Sequence, residues 1–229
     1  MSEQKGKMRG LIVPLIFGLG GFAILAALGI WQLQRLAWKE SVLSEMEALL
    51  NGAPMALEDV IDPYRRFAPV QMTGTTTGQE VHALKSTGQG AGYRLVSRFA
   101  VDDGPVIMLD EGFIRASMKD ADRGQRVLTV EGNLHVPDDV SSATPAPDLD
   151  RNIWYGRDMH QIAEALETEP IFVVARQVIE GEAVAAPLPL STAGVPNSHL
   201  GYAVQWFGLA AVWLGMTLFL LWRIRQRTV

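Results

Sequence analysis

No cysteine occurs anywhere in the chain, which excludes disulfides, thiolate metal sites and cysteine nucleophiles together. A G-x-S-x-G turn, a phosphate-binding loop and a zinc-ligand motif are also missing, so no hydrolase or transferase is signalled. There are only four histidines, and His82, His135 and His160 stand 53 and 25 residues apart. That spacing is not a ligand pattern such as H-x3-H, and each of the three is read as a surface or packing residue. Asp110 and Glu111 are neighbouring acids at a strand end, but adjacent strand residues face opposite ways and do not readily share a substrate. No acid-base or nucleophile set converges, so the chain is read as a non-enzyme.

Lysine and arginine are absent from 177 to 222, and then Arg223, Arg225 and Arg227 follow at once. The gap spans one of two long apolar runs. Leu11 to Ile30, "LIVPLIFGLGGFAILAALGI", carries no charge, and Leu200 to Trp222 is interrupted only by Gln205. Each is long enough to cross a hydrocarbon core of about 30 Å at about 1.5 Å per residue. The first exceeds a signal peptide's apolar stretch of about 7 to 15 residues. Helix-forming sequence also continues past it to Asn51-Gly52, a plausible stop. It is therefore read as a retained anchor.

The positive-inside rule puts the C-terminus in the cytoplasm, and two spans bring Lys5, Lys7 and Arg9 to the same side. Arg35 and Lys39 lie on the far flank of the first span. The expected layout is a cytoplasmic segment 1–10, a span at 11–31, an exported periplasmic domain 32–198, a span at 200–222 and a cytoplasmic end 223–229. With no organelle transit signal ahead of Leu11, the expected site is a bacterial inner membrane. The exported part holds fourteen basic and twenty-four acidic residues, a formal charge of −10. Such an acidic domain is a poor candidate for binding nucleic acid, and membrane lipid is the expected partner of the two spans.

Between the spans, runs at 67–75, 79–86, 93–101, 104–115, 125–136 and 170–179 are rich in β-branched and aromatic residues, with Gly, Pro and Asp between them. They predict six strands in a mainly antiparallel sheet, open or curled into a barrel. Asp102-Asp103-Gly104-Pro105 predicts a hairpin. A helix is predicted over 157–167 with Asp158 as cap and Ile162, Leu166 and Met159 inward. Segments 137–150 and 181–196 are read as a surface loop and an extended strap. The fold class is thus an α+β membrane protein, two transmembrane helices flanking one β domain with short helices.

The fourth histidine, His199, opens the second span, and with Tyr202, Trp206, Leu209, Ala210 and Trp213 it forms one helical stripe. Tyr202 suits an aromatic-belt anchor, as does Trp31 on the first helix. The indoles of Trp206 and Trp213 lie deeper, where an N–H seeks a protein or ligand partner. Two readings of His199 stay open: a polar residue at a wet helix start, or an axial ligand to a haem iron whose propionates meet Arg35 or Lys39.

"GIWQLQRLAWKESVL" (29–43) and "PNSHLGYAVQWFGLA" (196–210) resemble the paired signatures of the surfeit-locus family of cytochrome c oxidase assembly factors. Weaker echoes are "YRRFAPVQMTG", "GYRLVSRFAVDDGPVIMLDEGF", "VEGNLHVP" and "IWYGRDMHQIA". The chain departs at Asn197-Ser198-His199-Leu200, where the family usually has two asparagines. It departs again at Glu111-Gly112-Phe113, where many members have Arg-Gly-Trp. The resemblance implies a non-enzymatic role in maturing haem-copper oxidases: binding haem a transiently and assisting its insertion into subunit I, the catalytic subunit. Haem a synthase is then the candidate source. His199 matches the haem-linked histidine and Trp206 the tryptophan seven residues on. The rival expectation is a cofactor-free membrane scaffold that stabilises an oxidase subunit.

Overall fold

A computed structural model describes the backbone of residues 2–227 and the side chains of residues 11–226. Lys5, Lys7, Arg9 and Arg227, which bear on orientation, lie outside the described side chains. The chain divides into two compact units, Met1–Glu45 with Ala193–Val229, and Met46–Thr192.

The first unit is a pair of helices, α1 (Ser2–Leu50, whose last turn belongs to the second unit) and α4 (His199–Arg227). Both are long and apolar enough to cross a membrane. Pro14 sits inside α1, not in its first turn as the apolar run alone suggests, because the helix begins before that run. Partly or fully buried positions on α1 include Leu11, Pro14, Gly18, Gly21, Leu25, Gly29, Gln32, Leu36, Lys39 and Leu43; on α4 they include His199, Ala203, Trp206, Ala210, Trp213, Thr217 and Leu221. Steps of three and four residues keep one face of each helix against the other. Small residues allow the close approach that lipid, as apolar as the side chains, cannot drive. A Cβ on Gly18 would strike Thr217, one on Gly21 the Trp213 ring, and one on Gly29 would come within 2.7 Å of Phe207.

The second unit is a β barrel. After β1 (Met55–Ala56) and α2 (Glu58–Ile61) come β2 (Pro69–Thr87), β3 (Gly90–Val101), β4 (Val106–Arg115), β5 (Arg126–Leu134), α3 (Met159–Leu166) and β6 (Phe172–Glu180). The order β2-β3-β4-β6-β5 closes through a β2–β5 pairing, and β1 adds a short parallel edge on β2. The two runs predicted as separate strands at 67–75 and 79–86 are one strand. A register shift between Thr76 and Glu80, with Gly78 at φ 82°, bends β2 without ending it. Its first half pairs with both β5 and β3, its second half with β3. The predicted six long strands are therefore five, plus the two-residue β1. Pairing is antiparallel except at β1–β2 and at β4–β6, where Met108–Asp110 run beside Phe172–Val174.

Strand alternation divides the core. Ile107 and Leu109 join Val70, Phe99, Leu128, Val130, Leu134 and Val173 in one cluster. Met108, between them, points the other way to Val96, Phe172 and Val174 under Trp154 and α3. The helix α3 is capped as predicted: Asp158 accepts from the His160 and Gln161 amides, and Ile162 and Leu166 are buried. Burying each such aliphatic side chain contributes about 1.5–3 kcal/mol. The last carbonyl of α1, Leu50, is held by Asn133 Nδ2 at 2.9 Å and Arg176 Nη1 at 3.1 Å. Barrel side chains thus satisfy a helix end that would otherwise lack partners.

Candidate functional site

On β4 the two acids part company. Asp110, fully buried, accepts from Arg94 Nε at 2.7 Å and Arg157 Nη1 at 3.1 Å. Burial raises its pKa, although both arginines pull the other way. Arg157 reaches on to Asp139 at 3.0 Å and Arg94 to the Leu188 carbonyl at 2.8 Å, so one carboxylate ties the surface loop and the strap to the barrel wall. Glu111 takes a two-pronged contact from Arg126, both 2.8 Å, and accepts from Ser97 Oγ at 2.6 Å. Gly112 follows at φ 118°, with the strap's Ala186 carbonyl packed where a Cβ would stand. These are structural anchors with every carboxylate engaged.

The three histidines of this unit lie apart. His82 Nε2 meets Glu80 at 3.0 Å, His135 is buried between Phe67 and Phe172, and His160 is exposed on α3. Among the described residues no three His, Asp or Glu side chains form a group able to hold a metal.

In the helix pair the arrangement differs. His199 Nδ1 lies 2.8 Å from Gln32 Oε1, and Gln32 is 8% exposed. Trp213 Nε1 donates to the Gly18 carbonyl at 3.0 Å. Fourteen residues separate Gly18 from Gln32, and fourteen separate His199 from Trp213, about 21 Å along each axis at 1.5 Å per residue. The two polar contacts thus clamp an antiparallel pair at matched depths. Trp206, midway, is half-buried and its indole donates to no described residue. Beyond it the pair leaves an apolar groove of about 340 Å³, lined by Ile24, Leu25, Leu209, Val212, Trp213 and Met216 with Gly21.

Tyr202 is 50% exposed, beside the packed face, where Ala203 takes the seam position. Arg35 stacks its guanidinium 3.9 Å from the centre of the Trp38 ring. Lys39 donates to the Pro196 carbonyl. Of the two cations at this end, Lys39 is committed to backbone and Arg35 keeps its N–H edge. Gln32 escaped the sequence reading; its signal was a shared face with Gly18 and Gly29, visible only once the partner helix is known.

The donor set at His199 suits a haem iron. One ring nitrogen is held by a second residue, as metal-ligating imidazoles usually are, while Nε2 bonds to no described residue.

The fold defines a closed β barrel bracketed by two membrane-length helices, with a histidine clamped at the entry of the second. The chain belongs to the SURF1 family, whose profile matches residues 19–211. It is 29% identical over 208 residues to a SURF1-like protein of Rickettsia felis, covering 82% of this chain and 88% of that one. It is 28% identical to one of Rickettsia bellii, over 91% and 88% of the two chains. Against surfeit locus protein 1 of Homo sapiens the identity is 24%, over 80% and 69%.

Proposed function

We propose that this protein is a non-enzymatic assembly factor for a haem-copper oxidase that carries haem a and hands it to subunit I. The observation that carries the reading is the clamped imidazole of His199, with Nδ1 in contact with Gln32 and Nε2 bonded to no described residue. A haem held there would supply an iron whose bond to a side chain can be exchanged and a hydrophobic ring that need not leave the bilayer. His199 would hold it through Nε2. Trp206, two turns along, offers an apolar face; Arg35 offers the guanidinium edge that pairs with propionates. Tyr202 anchors the helix at the headgroup level. The apolar groove further along suits a hydrocarbon substituent.

In this reading the β domain is periplasmic and both termini cytoplasmic, in a bacterial inner membrane. The run of Arg223, Arg225 and Arg227 after the second apolar stretch supports that orientation. Haem a synthase is the proposed source. The test is to purify the chain from cells that make haem a and record its optical spectrum. A haem band in the wild type, lost in His199→Ala, is expected. A wild type without a band, oxidase assembly being intact in His199→Ala cells, would leave a cofactor-free scaffold as the function.

A further inference from the structure

We infer that Gln32 is a positioning residue that fixes the tautomer of His199 and thereby sets how strongly its Nε2 donates. This deepens the proposed haem-binding function and rests on it for the haem-bound half of the test. A neutral imidazole carries one N–H and one lone pair, and which nitrogen holds which is decided by the partner of the other. The atom facing Nδ1, at 2.8 Å, is the carboxamide oxygen of Gln32. A carbonyl oxygen accepts and never donates. Nδ1 therefore carries the proton, and the lone pair is left on Nε2.

Three features make the contact more than incidental. Gln32 is 8% exposed on the packed face of α1, a position where a polar side chain without a partner is costly. It belongs to the other helix, 167 residues away in sequence, so the ring's orientation depends on the helix pair and not on its own turn. Trp213 and Gly18 pin the same two helices in register about 21 Å deeper, which keeps the Gln32 amide opposite the ring. A hydrogen bond accepted from Nδ1–H also pushes electron density toward Nε2 and raises the basicity of that ligand. Gln32 thus holds the imidazole oriented before any ligand arrives.

The test uses the full chain in detergent with ¹⁵N-labelled histidine. Only four histidines are present, and His199 is assigned by its loss in His199→Ala. Without haem, the wild type is expected to show the Nδ1–H tautomer alone, Gln32→Leu both tautomers, and Gln32→Glu, which retains an acceptor, the wild-type form. With haem, Gln32→Leu should release it about tenfold to a hundredfold faster and shift the midpoint potential upward, and Gln32→Glu should restore both. An Nε2–H tautomer in the haem-free wild type means that the amide is turned to donate, and it overturns the inference. So does a Gln32→Leu protein with unchanged potential and release rate, since Gln32 then only packs. A wild type that takes up no haem defeats the proposed function, while the tautomer measurement still decides the role of Gln32. Should Gln32→Leu fail to fold, the haem-free wild-type tautomer decides alone.

Discussion

Lowering the pH from 7 to 5 removes about 2 kcal/mol of barrel stability through one residue, His135, and about 3 kcal/mol is gone by pH 4. The ring is 6% exposed, with centroids 6.1 Å from Phe67 and 6.5 Å from Phe172. Burial, helped by Arg157, Arg66 and Arg94 and opposed by Asp138, lowers its pKa from 6.5 to about 4. Between those values the unfolded chain binds a proton that the folded chain refuses. Stability therefore rises with pH across the window, is complete above about 6.5 and falls away toward 4. The comparison is between the wild type and His135→Phe, whose ring is neutral at every pH. Urea unfolding of the full chain in detergent, read by protease resistance of residues 46–192 at a series of pH values, gives the two curves. Other acid-sensitive groups move both equally, so the difference between them isolates His135. Parallel curves from pH 7 to 5 would show that the imidazole charges in place, and the burial argument would fail.

Three further outcomes follow from the anchors. Glu111→Gln leaves the buried Arg126 guanidinium without its counter-charge and should cost about 3 kcal/mol, measured by the same urea unfolding. Asn133→Ala strands the Phe67 carbonyl, now bonded at 3.1 Å, and leaves the Leu50 carbonyl to Arg176 alone; a loss of about 1–3 kcal/mol should speed hydrogen exchange in the slowest β5 amides by about tenfold. Gly21→Leu drives a side chain into the Trp213 ring at an overpacking cost of about 1–3 kcal/mol, and the indole N–H resonance of Trp213, bonded to the Gly18 carbonyl, should shift or broaden.

Elements governed by local chemistry could be read from the residues. Charge-free runs marked α1 and α4, Asp158 marked the start of α3, and Asp102 to Pro105 marked the β3–β4 hairpin. Thr76-Thr77-Gly78 looked like a strand boundary because Gly78 needs a positive φ. In the sheet that φ serves a bend, since β3 supplies ladder partners to β2 on either side of it. The β4–β6 pairing joins residues more than sixty apart, and nothing local announces it. Tyr202 was grouped with His199 by a three-residue step, yet the packed seam steps by four to Ala203. A single helix cannot distinguish those faces until its partner's glycines choose one. Gln32 was hidden for the same reason: a glutamine beside an apolar run is ordinary until an imidazole from another helix stands opposite it.

A barrel that closes on itself gives its amide and carbonyl rungs to its own neighbours. From Pro69 to Thr76 one edge of β2 is taken by β5, and the other by β1 at Val70 and Gln71 and by β3 from Gly74 to Thr76, which leaves a visiting peptide no continuous rail there. Even past the bend, Trp154 already bridges to Ala83. Along this stretch recognition of another protein falls to side-chain shape and loop contact instead of strand addition.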